Sequence, residues 1–439
     1  MSRCRQDEVE STPAFEALES RLLLSATFTV TSAADDFDPA DPVCDGLVTL
    51  REALIAANTD APAGDAPAGS GADVISFAPE LVGETIVLTG RQLEITSELT
   101  LAGPGADLLT LDAGGGSRIL YVSSSAEAVV SGLTFSGGVA DVGGGVFNDG
   151  GTLELSGCAV VGNIAENGGG VYSGRRTGGD HAMTILNSTI SGNVAWDDGG
   201  GVRNYPYSVL TMVHCTVTAN AADADGDGSG AGGGLANEWG SATLHNCIVA
   251  GNTRAAGAVA DDLGGEDQDD VEPVSSGNLI GDAATSGGLV DGVSGNLVGT
   301  DPMLGPLADN GGPTDTHALP LGSPALDAAG ATAAVDAGLT TDQRSIGRFD
   351  GGLAPADGLP DIGAYERAEA VADANGDGIV GAADIDELFG NLGLTDPAYD
   401  LDGDGACSEG DVDLLVRDIL LTQYGDTQLD GQVNLLDLG

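Results

Sequence analysis

Apolar and polar positions alternate in short bursts along most of this chain, and the bursts recur. Between residues 143 and 252, four glycine triplets each precede an apolar residue. They are Gly143-Gly144-Gly145-Val146, Gly168-Gly169-Gly170-Val171, Gly199-Gly200-Gly201-Val202 and Gly232-Gly233-Gly234-Leu235, at separations of 25, 31 and 33 residues. A second element runs between them: Cys158-Ala159-Val160-Val161-Gly162-Asn163, Ser188-Thr189-Ile190-Ser191-Gly192-Asn193, Cys215-Thr216-Val217-Thr218-Ala219-Asn220 and Cys247-Ile248-Val249-Ala250-Gly251-Asn252. These copies step by 30, 27 and 32, and Asn always falls five residues after the Cys or Ser.

A period near 30 with two short alternating strands per copy describes a unit that cannot bury its apolar face alone and must stack on its neighbours. The fold class this predicts is mainly β: a right-handed parallel β-helix, or solenoid, with equivalent positions about 4.8 Å apart from coil to coil. Cys158, Ser188, Cys215 and Cys247 then form an interior ladder of small side chains, a packing role in which buried thiols behave as small hydrophobes. Asn163, Asn193, Asn220 and Asn252 form another ladder at a bend, where Asn tolerates left-handed backbone and its amides bond along the stack. The triplets mark corners that need positive φ or close backbone approach.

Ahead of residue 143 the alternation is looser but of the same kind, in Thr85–Leu88, Leu99–Leu101, Leu108–Leu111, Ile119–Val122 and Val129–Leu133. Earlier still, Leu50, Ala53, Leu54 and Ala57 are spaced for one face of a helix, suited to closing the open apolar end of a solenoid. In that helix Arg51 and Glu52 are expected to serve the cap.

Composition narrows the picture. The chain has 439 residues, 68 acidic against 14 basic, all of them arginine, for a net charge of −54. Nucleic acid and anionic membrane surfaces are excluded as partners by repulsion. Glycine at 71 residues and aromatics at 4% exclude an ordinary aromatic-rich core, while 41% hydrophobic residues exclude a disordered chain. No run of 18 apolar residues is present, so the chain is not expected to span a membrane as a helix.

The sharpest chemical signal lies near the C-terminus. Asp373-Ala374-Asn375-Gly376-Asp377-Gly378-Ile379-Val380-Gly381-Ala382-Ala383-Asp384 places oxygen ligands at positions 1, 3, 5 and 12, a backbone carbonyl at 7 and glycine at 6. Asp400-Leu401-Asp402-Gly403-Asp404-Gly405-Ala406-Cys407-Ser408-Glu409-Gly410-Asp411 repeats the pattern. Calcium needs six to eight hard oxygens, and alternate residues of a tight turn point them inward together. Two Ca2+ sites are expected. Asp426, Gln428, Asp430 and Asp437 form a third, incomplete loop, a weaker site or a sign of truncation. Each complete loop leads into a helical stripe, Ile385-Leu388-Phe389-Leu392 and Val412-Leu415-Val416-Ile419. Asp223-Ala224-Asp225-Gly226-Asp227-Gly228 has a similar start, but its twelfth position is Gly234, so it is expected to be a solvated insertion between coils.

Several of these segments resemble known bacterial elements. Residues 15–26, ending Arg21-Leu22-Leu23-Leu24-Ser25-Ala26, resemble the LEPR-XLL element of extracytoplasmic planctomycete proteins, which implies a secreted or cell-surface location. Cys44-Asp45-Gly46-Leu47-Val48-Thr49-Leu50-Arg51-Glu52-Ala53 resembles the CSLREA element that opens secreted β-helices. The glycine triplets and Asn elements resemble polymorphic-outer-membrane-protein repeats, with Val160, Ile190, Val217 and Ile248 where that family has Phe. Residues 301–366, from Asp301-Pro302-Met303 to Asp361-Ile362-Gly363-Ala364-Tyr365-Glu366, resemble the choice-of-anchor Q region, which implies a joint between solenoid and attachment module.

Residues 373–422 are similar to a type I dockerin, a small helical EF-hand-like module whose family partner is a cohesin domain. That resemblance implies one calcium on Asp373, Asn375, Asp377, Ile379 and Asp384 and another on Asp400, Asp402, Asp404, Ala406 and Asp411. The organisation expected is therefore an export segment at 1–26, the capped solenoid at 27–300, the anchor-type region at 301–366, the calcium module at 372–422 and the incomplete loop at 423–439.

The function expected is a calcium-binding surface or adhesion scaffold docked to a cohesin-like domain or another surface protein. The alternative is a polysaccharide lyase or glycoside hydrolase with a polysaccharide partner. No catalytic residue is assigned. The G-H-G and R-I-K segments of polygalacturonases are missing from the sequence. Asp197-Asp198 are adjacent and would point to opposite faces of a strand, and arginines within the coils are few, namely Arg118, Arg175, Arg176, Arg203 and Arg254, with Arg175-Arg176 a local basic patch expected to be an exposed turn. His181, His214, His245 and His317 form no triad, and His214 and His245 are expected to be structural.

Overall fold

The computed structural model describes residues 25–35, 45–105, 109–175, 181–265, 271–312, 315–320, 322–348, 359–367, 382–394, 399, 407–413 and 415–416. The chain winds into a parallel β-solenoid of right-handed type with about seven turns. Each turn contributes three main strands, not the two expected. The first sheet contains eight strands, from Thr27–Val30 through Thr152–Ser156 to Ser241–His245. The second has seven, including Leu120–Ser123, Val146–Asp149 and Val171–Ser173. The third has nine, including Ala159–Val161, Thr189–Ser191 and Thr216–Thr218. The strand missed from the repeat pattern is that of the first sheet, because its sequence varies between copies while its register does not. Leu153, Met183, Leu210 and Ala242 stack in line.

The core is a tube of aliphatic side chains, such as Leu155, Ile185, Met212 and Leu244 from the first sheet and Val160, Ile190, Val217 and Val249 from the third. Among the described residues Phe28 and Phe135 are the fully buried aromatic residues in it, with half-buried Phe77 packed against it, consistent with a coil too narrow for many rings. Cys158, Cys215 and Cys247 are buried free thiols and Ser188 lies in line with them. Cys215 Sγ approaches the carbonyl of Ile185 at 3.2 Å. Burial pushes the Cys158 thiol up to about 11, so these groups remain protonated and packed.

The Asn ladder runs head to tail. Asn163 Nδ2 donates to Asn193 Oδ1 at 3.0 Å, Asn193 to Asn220 at 3.0 Å, and Asn220 to Asn252 at 2.9 Å. Every link points its donor toward the C-terminal end, and the last amide, Asn252, donates to the carboxylate of Asp262 at 3.0 Å. A chain of aligned amide dipoles polarises each member, and a negative charge at its donor end completes the series. One expectation is corrected. Left-handed backbone is carried by the residue before each Asn, Gly162, Gly192, Ala219 and Gly251, and not by the Asn. The Asn side chain is thereby free to point along the stack. In the triplets only the first glycine has positive φ, as at Gly143, where φ is 57°. The second is fixed by proximity: a Cβ on Gly144 would lie 2.6 Å from the carbonyl oxygen of Gly169.

Helix α1 (Leu50–Thr59) closes the N-terminal end, burying Leu50, Ala53, Leu54 and Ala57. Thr49 and Glu52 cap it reciprocally. Arg51 is held by Asp35 through two bonds of 2.6 and 2.9 Å. No helix among the described residues is long and apolar enough to cross a membrane.

Residues 301–312, 315–320, 322–348 and 359–367 do not extend the stack. They turn back and lie along the outer side of the third sheet. Leu319, Ala325, Ala329 and Ile362 pack on Ile248, Ala250 and Leu279, and helix α2 (Ala331–Asp336) lays Ala334 against Leu186 and Val213. Helices α3 (Ala382–Gly390) and α4 (Glu409–Asp413) share a separate small core of Leu388, Cys407, Val412, Leu415 and Val416. Of the first predicted stripe, Phe389 and Leu392 are exposed and not buried, because a pair of short helices covers only one side of α3. Ile419 lies outside the described residues.

Candidate functional site

The outward positions of the second sheet form one column, Glu94, Tyr121, Phe147, Tyr172, Arg203 and Ala236, set in register strand by strand. Rings stack along it: centroids of Tyr121 and Phe147 are 5.6 Å apart, Phe147 and Tyr172 5.2 Å, and Tyr172 and Tyr205 5.8 Å. The first two pairs meet edge to face, the arrangement favoured by ring quadrupoles. At the turn that follows, Tyr207 and Trp239 are 57% and 62% exposed and both adopt positive φ. A chain with few aromatics thus concentrates six of them on one side of its solenoid.

Arginines interleave with the rings. Arg118 lies over Phe147 at 5.0 Å and donates to Gln92 and to the carbonyls of Val142 and Gly143. Arg203 lies over Tyr205 at 4.8 Å and pairs with Asp198 at 3.0 Å and with Glu238. Burial outweighs that pairing for Asp198 and pushes its carboxyl up to about 6. Arg175 faces Asp149 at 3.9 Å, and Asp149 accepts from the Tyr121 hydroxyl at 2.8 Å. Burial and that bond push the Tyr121 phenol up to about 12. Each of these arginines is matched by a carboxylate or by carbonyl oxygens, so the column carries little net charge on a chain of −54. At its N-terminal end it opens into a groove of about 620 Å³ lined by Leu54, Ile55 and Leu93 together with Asn58, Arg91, Gln92 and Glu94.

Arg118, Arg175 and Arg203, scattered in sequence, are therefore brought to one face. Arg176 lies outside the described residues. Asp197 and Asp198 sit in a bend, not a strand, with Asp198 turned to Arg203, so strand alternation does not apply to them. The aromatic column was visible in the sequence as the residue following the triplet and its apolar partner, Phe147 and Tyr172. It was overlooked because Arg203 and Ala236 occupy the next two copies.

Among the calcium-loop positions, Asp384 and Asp411 are described. Both are buried, each in the first turn of its helix, and Asp411 accepts from the Ser408 amide at 2.5 Å. Buried carboxylates need partners of this kind. Asp373, Asn375, Asp377, Ile379, Asp400, Asp402, Asp404, Ala406, Asp426, Gln428, Asp430 and Asp437 lie outside the described residues. Asp223, Asp225 and Asp227 bring carboxylate oxygens within 4.8 Å of one another. Asp225 and Asp227 face solvent as expected, whereas Asp223 is buried and accepts from the Gly228 amide at 3.2 Å.

His214 is buried and contacts Asn246 at 3.0 Å, His245 meets Ser276 at 2.9 Å, and His317 meets Ser191 at 2.9 Å. Burial lowers all three imidazoles, which suits neutral structural partners.

No protein-family model and no curated protein matches the sequence. Two chains of known structure match. One, the crystal structure of pectate lyase Pel9A, aligns over 78% of this chain and 96% of its own at 12% identity and a TM-score of 0.36.

Proposed function

We propose that the chain is an exported, non-catalytic solenoid that serves as a rigid surface scaffold, attached through its calcium-loop module to a cohesin-type or other surface protein. The observation that carries this reading is the use made of buried charge. Asp35 with Arg51, Glu238 with Arg203, and Glu366 with Arg348 are ion pairs that join one segment to another, Asp198 with Arg203 and Asp342 with Arg344 are local pairs, and Asp262 ends the Asn ladder. These groups hold the fold together and are committed to each other. The tail supports attachment, since it pairs two twelfth-position aspartates with a small helical core and leaves Phe389, Leu392 and Leu394 exposed for a partner.

The test is a calcium titration of the whole chain combined with a polysaccharide screen. Two calcium ions per chain, one after Asp377→Ala with unchanged β-rich circular dichroism, agree with the reading, and calcium-dependent capture by a cohesin panel strengthens it. Release of new reducing or unsaturated ends from any polysaccharide would favour the lyase or hydrolase alternative instead.

A further inference from the structure

We propose that the outer face of the second sheet binds an uncharged polysaccharide chain laid along the solenoid axis. The inference goes beyond the scaffold reading and does not depend on the calcium module. Its basis is a division of labour among aromatic side chains. Core packing uses Phe28 and Phe135, yet Tyr121, Phe147, Tyr172, Tyr205, Tyr207 and Trp239 line one side. Of these, Tyr207 and Trp239 are exposed, Tyr121, Phe147 and Tyr205 are half-buried and Tyr172 is buried; exposed rings cost solubility unless they meet a ligand with an apolar face, and the C–H face of a pyranose ring is such a surface.

The polar groups beside the rings fit the same ligand. Arg175 with Asp149, whose side chains are 40% and 28% exposed, presents a paired donor and acceptor of the kind that hydroxyl groups satisfy. Because their charges cancel locally, the face offers no net field to a polyanion, and the −54 of the whole chain repels one. Nucleic acid and polyuronate are disfavoured for the same reason.

Geometry sets the direction. From Glu94 to Ala236 the column climbs five coil steps, about 24 Å at about 4.8 Å per step; Tyr172, Arg203 and Ala236 are buried in it, so an extended glycan running along the axis would meet Glu94, Tyr121 and Phe147 and, beyond them, Tyr205, Tyr207 and Trp239. The groove at Arg91, Gln92 and Glu94 stands at one end of this track and is placed to receive the chain's end. Tyr207 and Trp239, the most exposed rings, stand at the other.

The chain has two tryptophans, so Trp196→Phe leaves Trp239 as the reporter. Soluble β-glucan, galactomannan and, as the anionic comparison, polygalacturonate are titrated into full-length Trp196→Phe protein while tryptophan emission is followed. A saturable change with at least one neutral glycan is expected, and affinity electrophoresis of Tyr207→Ser/Trp239→Ser should show about tenfold weaker retention at unchanged thermal midpoint. The proposal fails if no neutral glycan alters Trp239 emission, if polygalacturonate binds more tightly, or if the double variant is retained like the parent. It also fails if sedimentation shows a dimer that Trp239→Ala dissolves, since the face would then hold a second copy of this chain.

Discussion

The outer faces of the second and third sheets belong to the same coils and have opposite fates. On the third, short polar side chains meet the chain's own C-terminal region: Thr189 donates to Gln343 at 2.7 Å, the amide of Ala364 donates to Thr216 at 3.0 Å, and Ser191 meets His317. At the corner beside it, the column that reads Gly132 and Gly157 in earlier coils becomes Asn187, His214 and Asn246. All five have positive φ. Glycine is the undemanding residue there, so Asn and His at strained backbone mark where a side chain is needed. Asn187 donates to Thr341 and accepts from Arg348, and Asn246 exchanges two bonds with Gly330. On the second sheet the outward side chains are rings and matched arginines. A face meant for backbone carries small hydrogen-bonding groups, and a face meant for a ligand carries large flat ones.

The largest effect is expected where the sealed face is pinned. Arg348 is fully buried and bonds Glu366, Gly363, the Asp361 carbonyl and Asn187. Arg348→Met should cost about 3 kcal/mol at pH 7, because Asn187 and the Gly363 and Asp361 carbonyls lose a buried donor, and about 3–5 kcal/mol near pH 10, where Glu366, raised to about 9 by burial, becomes a buried unpaired charge. Urea unfolding at the two pH values measures it, and the loss should grow as pH rises through the value at which Glu366 gives up its proton.

Inside the stack, Asn220→Ala removes the acceptor used by both nitrogens of Asn193 and leaves Asn252 Oδ1 without that donor. About 3 kcal/mol is expected for orphaning buried polar groups, with no change in the emission of Trp239. A loss under about 1 kcal/mol would mean that the ladder is incidental to stability.

The sealed face should also loosen with rising pH. Burial raises the Asp361 and Glu366 carboxyls, and each raises the other or is raised by further carboxylates nearby. A carboxyl raised in the folded chain binds its proton more tightly there than in the unfolded chain. Its contribution is complete below about pH 4 and is lost as pH climbs through the raised values, from neutrality upward. Amide protection at Ile362 and Gly363, corrected for intrinsic exchange, should fall between pH 6 and 9 relative to Val217 as an order-of-magnitude window. The smallest stability effect belongs to the other face: Tyr207→Ser/Trp239→Ser should stay within about 0.5 kcal/mol of the parent in urea unfolding.

Much of the solenoid was legible because period and side-chain type coincide in it. The Cys and Asn ladders and the α1 cap follow from fixed offsets of small, amide or apolar residues. The first-sheet strand was not legible, since inward Leu153, Met183, Leu210 and Ala242 share only apolarity. The return of the described residues between 301 and 367 along the third sheet was hidden for another reason: its contacts join Cys158 to Gln343 and Thr216 to Ala364, far apart in sequence, and its one local sign is the change from Gly to Asn and His at the corner. The ring column was half legible, in Phe147 and Tyr172. Asp262 was missed because the last link of the ladder comes ten residues after Asn252, not thirty.

Hydroxyl-radical footprinting, with and without saturating neutral glycan, tests the contrast between the two faces most directly. The account predicts that Tyr121, Phe147, Tyr207 and Trp239 are oxidised in the free protein and protected by the glycan, while Ile248, Leu319 and Ile362 stay unreactive in both states. Equal oxidation of the two sets, or glycan protection that spares Tyr207 and Trp239, would contradict it.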